Sequence, residues 1–231
     1  MWLIWVYGET DKQGLLEFKS RVSENGRVVL SSWNHSNPLC NWDGLHVAAN
    51  TRELLVWTSE IATGRGDITI IGNLSFLVSL GLSNNSFGGT IPQELGNLFR
   101  LKDLNMFSNF LGGTIPARLS NCSRLLRLSV DSNDLGGRYS FRTRVIDKAC
   151  HLYLGRNNLK GKLPASLGNL TSLTNLFGDN NIRRRNSGYI ARLTQMVILK
   201  HQNNSQVYFR RNLQFVLTRV LYMMIMVSQV V

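Results

Sequence analysis

Leu77–Arg100 reads LVSLGLSNNSFGGTIPQELGNLFR, and Leu101–Arg124 reads LKDLNMFSNFLGGTIPARLSNCSR. Superimposed, the two stretches share the pattern LxxLxLxxNxLxGxIPxxLxN, with Phe87 and Met106 standing in at two of its apolar positions. The step from Leu77 to Leu101, and again to Leu125, is 24 residues. Working outward, LLRLSVDSNDLGG follows from Leu125, HLYLGRNNLKGKLPASLGNLTS from His151, and LTNLFGDNNI from Leu173. Three complete sets (Leu80/Leu82/Asn85, Leu104/Met106/Asn109, Leu128/Val130/Asn133) rule out coincidence.

Each part of the pattern has a mechanical reading. Alternation in LxLxx sends Leu80 and Leu82 to one face and Ser79, Gly81 and Ser83 to the other, so the segment predicts a short strand. A single turn of 24 residues cannot bury its own apolar edge. Stacked turns share a continuous core and form a parallel sheet along one side. Asn85, Asn109, Asn133 and Asn157 fall where the chain leaves each strand, where an amide can satisfy the backbone of its own turn and of the next. In Gly89-x-Ile91-Pro92 and Gly113-x-Ile115-Pro116 the glycine permits positive φ and the proline fixes φ, which bends the return path. The predicted architecture is an α/β solenoid with parallel strands on a concave face and a helical N-terminal cap. The helix comes from Leu15, Leu16, Phe18 and Val22, with Thr10 or Asp11 as N-cap. Trp33, Leu39 and Trp42 are expected to plug the open end of the core.

The period lies within the leucine-rich-repeat range. The string LxGxIPxxLGNL resembles the plant-specific leucine-rich repeat of receptor-kinase ectodomains. ETDKQGLLEFKSRV and VLSSWNHSNPLCNWDG are similar to the N-terminal cap of those ectodomains, within the group that includes the elongation-factor-Tu receptor. The resemblance covers Glu9–Gly44 and Gly72–Met196, with gaps. It implies five segments: a non-native start (1–8), a cap (9–44), a disrupted first repeat (45–71), four to five repeats (72–199), and an aberrant apolar and basic tail (200–231). It also implies an extracellular recognition module that binds a peptide or protein ligand, with a co-receptor as a further partner and a kinase lying outside this chain. Location at the outer face of the plasma membrane, or secretion, follows from the same resemblance. The alternatives are a stand-alone secreted repeat protein that binds another protein, as an enzyme inhibitor does, and a non-functional product of a disrupted gene.

The outward strand positions supply the candidate ligand face: Asp103, Asn105 and Phe107; Arg127, Ser129 and Asp131; Tyr153 and Arg156; Asn175 and Phe177. Mixed charge with aromatic residues suits peptide or protein contact. Six N-x-[ST] sequons, at Asn34, Asn73, Asn84, Asn121, Asn169 and Asn203, mark candidate glycosylation sites.

Other chemistry is sparse. There is no GxGxxG, GxxxxGK[ST], HExxH or GxSxG string, and the four histidines are scattered, so no enzyme is expected. No cofactor and no metal site are expected either, because Cys40, Cys122 and Cys150 form no CxxC pair. Most of the net charge of +12 sits in three places where the repeat breaks: 138–150, 183–185 and the tail from Lys200. With no aromatic-basic groove beside it, this charge does not predict a nucleic-acid partner. The opening MWLIWVYGETDKQG has too short an apolar run for a signal-peptide core. The apolar stretch 213–231 carries Arg219 and Gln229 and is a weak candidate for a membrane span.

The breaks keep phase. Family caps carry CxWxGVxC; Cys40, Trp42 and Gly44 match it, but no second cysteine stands near Val47. Codons exist for His46–Glu60 that, read one base earlier, encode TCGRKHKRVTSLDLG, which restores that cysteine, a basic turn and a first strand. Trp57 followed by Thr58 fixes the aspartate of that string whatever codons are used. Phe141–Cys150, entered one base later, yields SELGSLTKLV, the missing end of a repeat. Arg184–Ile190 and Asn204–Arg211 behave similarly, giving GEIPDI and FSGVFPP. The chain therefore reads as a repeat gene with displaced frames. Sequencing the transcript is expected to show TCGRKHKRVTSLDL and SELGSLTKLV encoded in adjacent frames; any other nucleotides there refute it.

Overall fold

The computed structural model describes residues 9–22, 30–48, 53–57, 68–137, 151–161, 175–178, 180–182 and 198–201. One helix, α1 (Glu9–Val22), precedes ten strands: β1 (Leu45–Ala48), β2 (Glu53–Trp57), β3 (Leu77–Gly81), β4 (Asp103–Asn105), β5 (Arg127–Ser129), β6 (His151–Tyr153), β7 (Lys160–Gly161), β8 (Asn175–Gly178), β9 (Asn181–Ile182) and β10 (Ile198–His201). Eight of them form a sheet in the order β1-β2-β3-β4-β5-β6-β8-β10, and β7 pairs with β9 beside it. The β1–β2 pair is antiparallel, and the other pairs of the large sheet are parallel. The result is the solenoid that the 24-residue period predicts.

Register follows the sequence phase. Leu80, Leu104, Leu128, Leu152 and Leu176 are successive partners across β3, β4, β5, β6 and β8. Leu80, Leu82, Leu104, Met106, Leu128, Val130, Leu152 and Leu154 are all buried in one continuous core. A fully buried leucine contributes about 1.5–3 kcal/mol, so these rows dominate the cohesion between turns. On the return side, 3-10 turns recur at Thr69–Asn73, Gln93–Asn97 and Ala117–Asn121. Their packing is tight. A Cβ added to Gly72 would lie 2.5 Å from the Glu94 carbonyl oxygen, and one on Gly96 would lie 2.3 Å from that of Arg118.

The asparagine ladder forms as expected. Asn109 Nδ2 donates to the carbonyls of Leu82 (2.9 Å), Met106 (3.1 Å) and Phe107 (3.3 Å), while its Oδ1 accepts from the Phe87 amide (3.1 Å). Asn133 and Asn157 repeat the arrangement one and two turns on. Asn180, rather than the Asn181 that a 24-residue step selects, takes the next rung: its Oδ1 accepts from Leu159 and its Nδ2 donates to Leu154. The residue before each of the first four rungs is left-handed: Asn84, Ser108, Ser132 and Arg156, with φ between 49° and 56°. Gly89, Gly113 and Gly137 also have positive φ, as the bend in the return path requires.

The N-terminal end departs from the sequence reading in two ways. Helix α1 begins at Glu9, so Thr10 and Asp11 lie in its first turn instead of capping it. Also, the segment after the cap, which lacks the repeat pattern, still supplies a strand in phase. Val56 pairs with Leu80 and Trp57 with Gly81, after a register shift between Leu54 and Leu55. Leu54, Leu55, Val56 and Trp57 form a continuous apolar run, and such a run suffices for the strand even where the rest of the motif is missing. Beneath it, Leu15, Phe18 and Val22 pack on Trp33 and Trp42, whose rings stack 5.1 Å apart. Trp33 Nε1 donates to the Asp43 carbonyl (2.8 Å) and Lys19 Nζ to that of Trp33 (2.8 Å). Leu39 is only half-buried, so the two tryptophans carry the plug.

Replacing Asn109 with Ala strands the Phe87 amide in the core and takes one of two donors from the carbonyls of Leu82, Met106 and Phe107, which is expected to cost about 1–3 kcal/mol, read as a lower urea midpoint. Asn97→Ala, at an exposed position, is expected to leave the midpoint unchanged.

Candidate ligand-binding face

The parallel register sorts the positions beside the inward leucines into rows. Ser79, Asp103, Arg127 and His151 make one row and Gly81, Asn105, Ser129 and Tyr153 the next, and the backbone of Asn175 and Phe177 on β8 pairs with the last member of each. The rows exist because alternation about each inward leucine puts the residues on either side of it outward, and stacking repeats them at the inter-strand spacing of about 4.8 Å.

The first row carries a charge pair across neighbouring turns: Arg127 Nη1 donates to Asp103 Oδ2 at 3.1 Å. Burial pushes the Asp103 carboxyl above its ordinary range, and Arg127 and His151 pull it back. In the second row Ser129 is buried, and its Oγ donates to Asp131 Oδ1 (2.8 Å). Asn105 Oδ1 accepts from the Phe107 amide (3.1 Å), which fixes the turn that follows β4. The rings of His151 and Tyr153, two residues apart on one face of β6, lie nearly parallel with centroids 6.3 Å apart.

Several sequence candidates therefore meet on one surface, but not all of them on strands. Phe107 and Asp131 stand in the turns after β4 and β5, and both are half-buried. Arg156 lies beyond β6 in a left-handed turn, and is exposed. Asn175 and Phe177 lie on β8, for which the structure describes the backbone pairing with His151 and Tyr153. The sequence reading placed Ser79 on the outward face without counting it among the candidates, and it missed His151 as a member of this surface. His151 directly precedes Leu152, the inward leucine of its turn, and that offset alone places it beside Arg127.

Among the sequons, Asn73, Asn84 and Asn121 are exposed. Asn34 is half-buried and already engaged: its Oδ1 accepts from the Asn37 amide, and its Nδ2 faces the Ser31 and Ser32 carbonyls. Asn169, Asn203 and Cys150 fall outside the described residues. Cys122 is buried, donates to the Leu95 carbonyl (3.2 Å), and has its thiol pushed up to about 11 by burial, so it is a packing residue and no nucleophile. Among the described residues no group of three His, Cys, Asp or Glu side chains could hold a metal ion, and no helix is long and apolar enough to cross a membrane. Iodoacetamide at pH 8 is expected to modify the exposed Cys40 and spare Cys122 in the folded protein, as read by peptide mass mapping.

Comparison with known proteins agrees with this geometry. Residues 9–46 match the leucine rich repeat N-terminal domain, and residues 76–98 and 150–170 match the leucine rich repeat. The chain is 52% identical over 93 residues to the LRR receptor-like serine/threonine-protein kinase EFR of Arabidopsis thaliana, covering 38% of this chain and 9% of that protein. Pollen receptor-like kinase 1 of the same plant is 29% identical over 86 residues, covering 37% of this chain and 13% of that kinase. The chain thus spans a small part of the length of these relatives. Among solved structures, the Arabidopsis receptor kinase HAESA, in complex with the peptide hormone IDA and the co-receptor SERK1, superposes with a TM-score of 0.72 at 27% identity. The match covers 84% of this chain and 33% of HAESA. Pollen Receptor Kinase 3 shares the fold, with a TM-score of 0.66 at 21% identity over 87% of this chain and 98% of that one. The chain carries the leucine-rich-repeat N-terminal domain and leucine-rich repeats in a leucine-rich-repeat solenoid, and is similar in its cap and repeats to plant receptor-like kinases.

Proposed function

We propose that the chain is an extracellular recognition module whose concave face binds a peptide or protein ligand, without catalysis of its own. The observation that carries this reading is the juxtaposition of Asp103, Arg127, His151 and Tyr153 on the three adjacent strands β4, β5 and β6, all facing the same side. An array of this kind offers charge, hydrogen bonding and aromatic surface on a rigid backbone, which is what recognition of a peptide requires. The similarity to HAESA, a peptide-hormone receptor, supports the same class of ligand. Asn105, Phe107, Ser129, Asp131, Arg156, Asn175 and Phe177 complete the proposed surface. A co-receptor would approach a ligand already seated there, and glycans on Asn73, Asn84 and Asn121 fit an exposed, secreted surface.

A second reading treats the chain as the product of a repeat gene with displaced frames. It is favoured by the intact register of β5 with β6, which holds the 24-residue step on both sides of residues 138–150.

The ligand reading is tested by selecting peptides from a display library on the purified chain and measuring their affinity by calorimetry. The triple variant Phe107→Ala, Arg127→Ala, Tyr153→Ala is expected to lose at least about tenfold in affinity. Arg118→Ala, on the return side, is expected to bind as the parent does. Undiminished binding by the triple variant overturns the concave-face assignment.

A further inference from the structure

On the return side of the array lies an open cleft of about 530 Å³. Ile68 and Thr69 of one turn, Gly88 to Glu94 of the next, and Thr114 and Pro116 of a third line it, and none of them lies on β3, β4 or β5. The glycine bends explain why it opens here. A Cβ added to Gly113 would lie 2.8 Å from the Thr90 methyl, and one on Gly137 would lie 2.6 Å from that of Thr114. Each of those bends is covered by a threonine of the turn before it. A Cβ added to Gly89 would meet nothing within 4 Å. One period before Thr90 the sequence has Gly66, which carries no methyl group. The cover is thus missing at the first bend and present at the next two.

The lining sorts the occupants. The volume falls within the roughly 300–1,000 Å³ of ligand clefts and is far above the ~30 Å³ share of one water, so the cleft takes a side chain and not a lone ion. Ile68, Ile91 and Pro92 are buried and Pro116 is half-buried, which gives an apolar wall. Beside it stand Thr90, Gln93 and Thr114, all exposed and each with an acceptor oxygen. Glu94 carries the one charge among the described lining residues, and it makes no ion pair or side-chain hydrogen bond with another described residue. We infer that this cleft is a subsite for an alkylammonium, the side chain of a lysine in a partner protein. The methylene stem packs on Pro92 and Pro116, while the ammonium donates to the Glu94 carboxylate and to the oxygens around it. An anionic side chain meets the Glu94 charge, and an apolar one gains only the wall. A guanidinium brings a rigid planar fork, which suits one bidentate carboxylate better than acceptors dispersed over three side chains. The cleft stands apart from the concave face, so this inference does not rest on the ligand reading above.

The probe is N-acetyl-lysine methylamide, titrated into the isotope-labelled chain and followed by backbone amide chemical shifts. Saturable shifts at Thr90, Gln93, Glu94 and Thr114 are expected, and they weaken as sodium chloride is raised because the pairing is electrostatic. The norleucine analogue keeps the stem and lacks the ammonium, and is expected to give no saturable shift; the glutamate analogue is expected to give none either. Glu94→Gln preserves the shape of the side chain and is expected to bind the lysine probe about tenfold more weakly, as loss of a charge-assisted hydrogen bond does. Equal responses to the lysine and norleucine probes overturn the subsite, as does a response that is indifferent to salt or undiminished in Glu94→Gln. Tighter binding of the arginine analogue overturns the choice of lysine. The absence of saturable shifts at those four residues overturns the subsite outright. None of these outcomes bears on peptide capture by the concave face.

Discussion

The backbone of each turn has to be satisfied by the turn beside it. A strand of three residues has too few ladder bonds to hold a turn of 24, and the chain leaves it through a left-handed residue that turns the carbonyls inward. The asparagine amide answers both problems, since its Nδ2 collects carbonyls of its own and the previous turn while its Oδ1 takes an amide from that previous turn. Strand pairing and the inward leucine rows hold the register from turn to turn, and the amide rungs tie each turn to the one before. The surface rows inherit that register: Asp103 lies opposite Arg127 across β4 and β5.

The same dependence explains why sequence content and structural phase can separate. At Val56 only an apolar run survives, and the strand still pairs with β3 because the sheet edge offers a full set of partners to any extended segment with an inward apolar residue. At the other end the rung moves to Asn180 while the strand register stays at 24, so a one-residue difference is absorbed in the turn and not in the sheet. Strand pairing couples many residues at once, whereas a turn is free to choose between two adjacent asparagines.

Much of this was legible in the text of the chain. The inward leucines, the ladder at Asn85, Asn109, Asn133 and Asn157, and the glycine bends follow from a repeated string and elementary backbone chemistry. The tryptophan plug was legible as well, because an open apolar end demands one. What escaped the sequence was context. Ser79 reads as an outward, solvated serine, and only the neighbours contributed by two other turns reveal that its hydroxyl is buried and unmatched. His151 sits beside a stretch that lacks the motif, which hid its place next to Arg127. Asn34 looks like any sequon, but its amide is already part of the cap's hydrogen bonding. The N-terminus of α1 was misjudged because capping preference is local, and the helix starts a residue or two before the strongest capping residues.

The glycines at 72 and 96 have a further geometric effect. A solenoid bends when one side of its turns is wider than the other, as it is when α-helices back a row of strands. Here slim 3-10 returns are drawn so close that a single methyl group would strike the next turn's carbonyl. The close approach at Gly72 and Gly96 sets how near one return segment can lie to the next, so the spacing of turns on that side is fixed by backbone contact rather than by side-chain size. Any turn added to the array therefore needs a glycine at the same place if it is to keep that spacing.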